Sequence, residues 1–328
     1  MESKSRSSCL SSPVPSSSSS SFWSFPSPSS ASLHSFLSGA GAGAVSSILC
    51  CPLDVAKVRI QIQGTLGIQR YTTTLGTLKL IMKEEGMRGC FRGLGPALCN
   101  VPLFWSIYWC TYDQLKFKLA ATFPSISQHM IHLYSAITAG AIGDVVTNPF
   151  WVVRTRIQTL HLHAGDNLTV SNKAHYSVST LQMFRRIYRA EGIMAFYKGL
   201  TASFLGLSHV AIQFPMYEYL KKEMAAYRSK CGESSEYILM LDIVFTSLVA
   251  KLVASLITYP HEVLRSRLQD NRDKCGGILK TIKKIVRDEG VLNLWSGYRV
   301  NLVRIFPATI STFVAYEYIN KILAGATM

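Results

Sequence analysis

The chain has 328 residues, with 34 Lys+Arg against 19 Asp+Glu, a formal net charge of +15, and 16% charged against 48% hydrophobic residues. A soluble domain carries about 25% charge, so this balance, with a mean hydropathy of +0.20, points to a polytopic membrane protein. The apolar content excludes a disordered chain and the length excludes a small disulfide scaffold.

Residues 1–32 form a Ser-rich, low-complexity run, with Ser16 to Ser21 unbroken and Glu2 its only acid. Such a segment buries no core and reads as a disordered tail. It resembles a transit peptide in its Ser-rich, acid-poor composition and differs from one in not being Arg-rich, with Lys4 and Arg6 its only basic residues. Beyond it the chain repeats. Three blocks share one pattern: Pro52-Leu53-Asp54-Val55-Ala56-Lys57-Val58-Arg59-Ile60-Gln61, Pro149-Phe150-Trp151-Val152-Val153-Arg154-Thr155-Arg156-Ile157-Gln158 and Pro260-His261-Glu262-Val263-Leu264-Arg265-Ser266-Arg267-Leu268-Gln269. A second signature follows each: Glu85-Gly86 leading to Arg92-Gly93, Glu191-Gly192 to Lys198-Gly199, and Glu289-Gly290 to Ser296-Gly297. A third closes each repeat, at Tyr112-Asp113, Tyr217-Glu218 and Tyr316-Glu317. These recurrences predict repeats over 33–125, 126–230 and 231–328.

Each repeat predicts two apolar helices with a short amphipathic helix between them. The expected spans are 33–62, 94–115, 131–160, 200–221, 239–269 and 298–319. Only helices or closed barrels satisfy backbone polar groups in lipid, and these segments are too long for barrel strands. The expected fold is therefore all-α, with six transmembrane helices in three tandem repeats and three-fold pseudo-symmetry. Leu78, Ile81 and Met82, and Phe184, Ile187 and Tyr188, mark the inward stripe of the first two short helices. Six spans place both termini on one side. The eight cysteines show no metal-ligand spacing, the eight histidines none with acids, and no nucleophile or phosphate-loop motif is present. An enzyme is not expected, nor a metal or bound cofactor. The basic residues lie between apolar spans rather than on one exposed element, which excludes a nucleic-acid partner.

Asp54 and Lys57 are three apart on one helix face, as are Glu262 and Arg265. Charges at a membrane helix end are hydrated, paired or turned to a cavity. With Arg154 they predict a ring of ion pairs closing one mouth, each pair spanned by Gln61, Gln158 or Gln269. Trp151 stands where the second acid belongs, so two pairs are expected rather than three. Asp113, Lys116, Glu218, Lys221 and Glu317 predict a second ring at the other mouth, incomplete at Asn320. Two closures imply alternating access. Asp144, inside the third helix, has no role in this scheme beyond facing the cavity or the wet end.

These triplicate Pro-x-Asp/Glu-x-x-Lys/Arg and Tyr-Asp/Glu-x-x-Lys blocks resemble the mitochondrial carrier family over about residues 33–325. The resemblance implies a monomeric six-helix exchanger of the inner mitochondrial membrane, although related carriers occupy plastid or peroxisomal membranes. It makes the first ring the matrix-side network and the second the cytoplasmic-side network. Asn148-Pro149-Phe150-Trp151-Val152-Val153-Arg154 resembles the group carrying NAD, pyrimidine nucleotides, FAD and folates. Gly206-Leu207-Ser208-His209-Val210-Ala211-Ile212-Gln213-Phe214-Pro215 is most similar to the NAD carriers. Tyr259-Pro260-His261-Glu262 is shared by NAD and pyrimidine nucleotide carriers, and Trp105 by the NAD, FAD and folate members. The implied partner is an anionic nucleotide, NAD as transported substrate, exchanged for adenine nucleotides; the alternatives are a pyrimidine nucleotide, FAD or a folate, and then a non-transporting scaffold.

The family's contact positions, seven residues past the Gly that opens each even-numbered helix, fall on Asn100, on Gly206 with Leu207, and on Arg304. An Arg grips phosphate in a fork, Leu207 offers an apolar surface and Asn100 both donates and accepts. Trp105, His209, Gln213 and Lys251 complete the expected site, Trp105 as a stacking surface and Lys251 as a second cation facing the cavity. Arg304 is expected as an unpaired cation at the membrane midplane.

Overall fold

A proline interrupts every long helix of the chain, at Pro52, Pro102, Pro149, Pro215, Pro260 and Pro307. Each removes one backbone hydrogen bond, and the rods are correspondingly long. The computed structural model describes residues 30–67, 70–71, 73–123, 125, 127–164, 178–231, 236–270 and 277–325. Repeat one holds α1 (Ser30–Ile62), the short α2 (Thr74–Cys90) and α3 (Leu94–Thr122). Repeat two holds α4 (Gln128–Thr159), the short α5 (Thr180–Glu191), and α6 (Leu200–Gly206) with α7 (Ser208–Cys231). Repeat three holds α8 (Glu236–Asp270), the short α9 (Ile278–Asp288) and α10 (Tyr298–Gly325). Helix α1 begins inside the expected tail, whose residues 1–29 lie outside the described residues.

The fourth rod departs from the expected continuous span. It breaks at Leu207, where the N–H groups of Leu207 and Val210 donate to carbonyls only three residues back, Phe204 and Leu207. Gly206 lies against the His261 ring, which sits where its side chain would be. All six rods reach membrane-spanning length, the fourth as α6 plus α7. Three segments among the described residues, Ser38–Leu66, Gln128–Thr159 and Asp242–Asp270, are also apolar enough to cross.

The rods pack around a circuit: α1 on α3, α3 on α4, α4 on α6, α7 on α8, and α10 back on α1, with α8 and α10 joined by the Tyr259–Tyr298 ring contact and the Asn301–Ser255 hydrogen bond. At the proline blocks α1, α4 and α8 also touch one another, so that end of the bundle is drawn together. The short helices bury a narrower stripe than their apolar periodicity predicts. Ile81 and Ile187 are buried, whereas Met82 and Tyr188 face outward.

Three glycines fix the entry of the second rod in each repeat. Gly93, Gly199 and Gly297 all cap a helix in the left-handed region, at φ 82°, 81° and 82°. Each also lies against the next repeat's proline block. A Cβ on Gly93 would meet the Arg154 carbonyl oxygen at 3.3 Å, one on Gly199 the Arg265 carbonyl at 3.1 Å, and one on Gly297 the Lys57 carbonyl at 3.4 Å. Conformation and close approach both demand glycine there. Gly199→Ala therefore lowers stability by about 1–3 kcal/mol. Gly39→Ala, with nothing within 4 Å of the added carbon, is neutral or stabilising by up to about 1 kcal/mol. Thermal unfolding of the two variants in detergent checks the contrast.

Candidate functional site

At the far ends of the proline blocks, three arginines fasten the repeats head to tail. Arg59 pairs with Glu85, Arg156 with Glu191 and Arg267 with Glu289, each within its own repeat. The Nε of each then donates across to the next repeat: Arg59 to the Gln158 carbonyl at 3.1 Å, Arg156 to the Gln269 carbonyl at 3.0 Å, and Arg267 to the Gln61 carbonyl at 2.9 Å. Arg92 and Lys198 add a second cation to Glu85 and Glu191 at 2.8 Å. In the third repeat Ser296 replaces that cation and its hydroxyl donates to the Ile60 carbonyl. Sequence reasoning assigned these arginines and glutamates no role. Their signal was the triplicate Arg two residues before each Gln and the triplicate Glu before each Gly.

One turn inward lies the charge network. Asp54 accepts from Arg154 at 2.6 Å, and Glu262 pairs with Lys57. The acid of one repeat thus meets the base of the next. At the third junction Trp151 replaces the acid, and its ring lies under two guanidinium groups, 5.3 Å from Arg154 and 4.8 Å from Arg265. Arg265 has an anion nonetheless: Asp144, 3.5 Å away. The glutamines do not span these pairs as expected. Gln61 donates to the Tyr259 hydroxyl at 3.0 Å and accepts from Ser266, while Gln269 accepts from Thr155. The side-chain nitrogens of Gln158 and Gln269 are buried without a partner. Hydroxyls of neighbouring helices take the amide oxygens of Gln61 and Gln269.

Above this layer is a cavity of about 320 Å³. Gly206, His209, Lys251, Glu262, Asn301 and Arg304 line it, together with Ser255, Thr258 and His261. Four of the expected contact residues, Gly206, His209, Lys251 and Arg304, are therefore brought together. Arg304 is not unpaired: its Nε lies 2.6 Å from Asp54 Oδ1, the oxygen that Arg154 leaves free. A midplane cation finds a carboxylate on the adjacent helix in preference to remaining alone in a low-dielectric setting. Asn301, one turn before Arg304 on the same face, accepts from Lys57 at 2.9 Å and joins the cavity to the charge layer. It was legible only as a polar residue at that spacing. His209 shares a hydrogen bond with Thr258 at 3.1 Å.

The remaining candidates sit elsewhere. Asn100 is buried on α3 with its side-chain oxygen unpartnered. Leu207 lies against Gly140 of α4, and Gln213 lies beside His209. Trp105 is 49% exposed and belongs to an aromatic ladder on α3, edge-on to Phe104 and Tyr108 and stacked with Trp109 at 6.4 Å. At the opposite mouth Asp113, Lys116, Glu218, Lys221 and Glu317 are all exposed. Among the described residues no ion pair joins them. The facing charges are thus paired at the proline-block end and not with one another at the other, where Tyr112 with His132 and Arg228 with Asp242 join neighbouring repeats.

The family model described as "Mitochondrial carrier protein" matches residues 29–122, 127–228 and 239–327. The chain is 39% identical over 294 residues to nicotinamide adenine dinucleotide transporter 1, chloroplastic, of Arabidopsis thaliana, covering 87% of this chain and 90% of that protein. It is 38% identical to the mitochondrial nicotinamide adenine dinucleotide transporter 1 of Saccharomyces cerevisiae, over 87% of this chain and 76% of the relative. It is also 38% identical to the Arabidopsis nicotinamide adenine dinucleotide transporter 2, mitochondrial, over 85% and 76%.

The fastening arginines have a pH signature. Burial pushes the carboxyls of Glu85 and Glu191 up, but the hydrogen bonds and charges of Arg59 and Arg92, and of Arg156 and Lys198, outweigh it and hold both below the usual range. A depressed folded value stabilises fully above the unfolded one, about pH 4.3, and is lost as pH falls through the folded value. The thermal unfolding midpoint should hold from neutral pH down to that point and fall below it. Glu85→Gln, which leaves Arg59 buried beside a neutral partner, should cost about 3 kcal/mol at neutral pH and flatten the acid limb. An acid limb as steep as wild type would contradict this assignment.

Proposed function

This chain belongs to the mitochondrial carrier family, a transporter and not an enzyme, and we propose that it moves NAD across the inner mitochondrial membrane in exchange for adenine nucleotides. The observation that carries the reading is the cavity in which Arg304 and Lys251 meet beside Gly206 and Asn301. Two cations answer the two negative charges of a pyrophosphate, and an Arg fork matches phosphate geometry. The His209 and His261 side chains line the same wall, and the Asn301 amide, held between Lys57 and Ser255, joins it to the charge layer. The cavity lies at the small end of ligand sites, so it takes the pyrophosphate and one half of the dinucleotide, and the other half extends toward the opposite mouth past α3. The names of the relatives support NAD over other nucleotides.

The geometry also supplies a route from substrate to gate. Asp54 holds Arg304 with one oxygen and Arg154 with the other. A phosphate binding Arg304 competes with Asp54 for it. The tie between Asp54 of repeat one and Arg304 of repeat three is then lost, that side of the closure weakens, and the fastened mouth is free to open while the charges of the other mouth pair. Exchange follows, because the unloaded carrier keeps Asp54 between its two arginines. The resting sidedness is a carrier closed toward the matrix. One chain forms the pathway, so no second copy is needed.

Purified protein in liposomes, preloaded with AMP, ADP, UTP, FAD or nothing, should take up labelled NAD saturably and fastest against internal adenine nucleotide. Arg304→Ala, checked for folding by circular dichroism, should lose at least about a hundredfold in uptake, the equivalent of about 3 kcal/mol. Unchanged uptake by that variant would overturn the site. UTP or FAD exchange without NAD uptake would overturn the substrate and keep the carrier.

A further inference from the structure

The third junction of the gate lacks its acid, and the structure puts one back from an unexpected place. Helix α4 carries Trp151 where α1 has Asp54 and α8 has Glu262. The base at this junction, Arg265, reaches instead to Asp144, whose Oδ1 lies 3.5 Å from its Nη2. Asp144 precedes Trp151 by seven residues, two helical turns or about 10.5 Å, on the same face of α4. It is buried, in a stretch of helix with no other charged residue between His132 and Arg154, and Arg265 is its only ion-pair partner among the described residues. A carboxylate in that setting is costly without a cation, and Arg265 is the cation within reach.

We propose that Asp144 is the displaced third acid of the gate, and that Trp151 is the plate that makes the displacement possible. The indole presents a π face to Arg265 and Arg154 together, a contact that tolerates both cations side by side. The Arg265 guanidinium thus lies between the indole, 4.8 Å from its centre, and Asp144, two turns nearer the cavity and 3.5 Å from its Nη2. The third leg of the closure is therefore made of charge and π face, and its charge lies deeper in the membrane than that of the other two. Asp144 is a positioning residue: it touches no substrate and acts by holding Arg265 between acid and indole.

The flux arm of the test rests on the exchange reading above; the unfolding arm does not. Purified Asp144→Asn, Arg265→Gln and the double variant are compared by thermal unfolding. Each single variant should unfold earlier than wild type, and the double variant no earlier than Arg265→Gln alone. Strictly additive losses would overturn the pairing. In liposomes preloaded with labelled NAD, Asp144→Asn should raise efflux into nucleotide-free medium severalfold, because a weaker closure lets the empty carrier change state. Adding Trp151→Glu restores an acid beside Arg265 and should bring efflux back toward wild type. Wild-type efflux in Asp144→Asn, or no recovery in a folded Asp144→Asn, Trp151→Glu protein, overturns the gating role. If wild type moves no NAD, the solute assignment fails and the unfolding cycle alone decides the pairing.

Discussion

One carboxylate, Asp54, holds two parts of the molecule that must move at different moments. Its oxygens are divided between Arg154, on the neighbouring repeat, and Arg304, in the wall of the cavity. In a water-poor interior neither arginine can lose its anion without a large penalty, and Asp54 cannot stand alone. Whatever occupies Arg304 therefore changes what Asp54 does to Arg154. Lys57 makes a second link of the same kind, paired with Glu262 and bonded to Asn301 in the cavity wall.

The gate can be labile because the frame beneath it is not. Arg59, Arg156 and Arg267 each bind a glutamate of their own repeat and a backbone carbonyl of the next. Gly93, Gly199 and Gly297 let the second rod of each repeat seat directly on that neighbour. This layer keeps three-fold symmetry closely. The layer above it does not: two junctions carry ion pairs and the third carries Trp151, Arg265 and Asp144. A substrate with two dissimilar halves has no use for three equal walls, and the asymmetry of the gate matches that of the cavity, where Lys251, Arg304 and Asn301 come from the third repeat.

The repeats, the six rods and most helix limits were legible in the sequence, because a signature repeated three times at matched offsets marks positions that no single segment would reveal. Four of the expected cavity residues were legible for the same reason. Partners were not. Arg304 with Asp54, Arg265 with Asp144 and each Arg with a distant Gln carbonyl join residues roughly a hundred or more positions apart, and periodicity assigns a side chain to a face without naming what faces it. The break at Leu207 was hidden because no proline or repeated signature marks it, and the His261 ring beside Gly206 comes from another helix. Trp151 was visible as a broken pattern, but that one ring serves two arginines follows only from packing.

The account stands most directly on competition between substrate and Asp54 for Arg304. Equilibrium binding of NAD to purified wild type and to Asp54→Asn measures it. Removing the competing charge should tighten NAD binding severalfold while slowing exchange in liposomes, since the variant holds the ligand without a gate to release. Binding that is unchanged or weaker in Asp54→Asn would show that Asp54 does not contend with the substrate, and the coupling described above would fall with it.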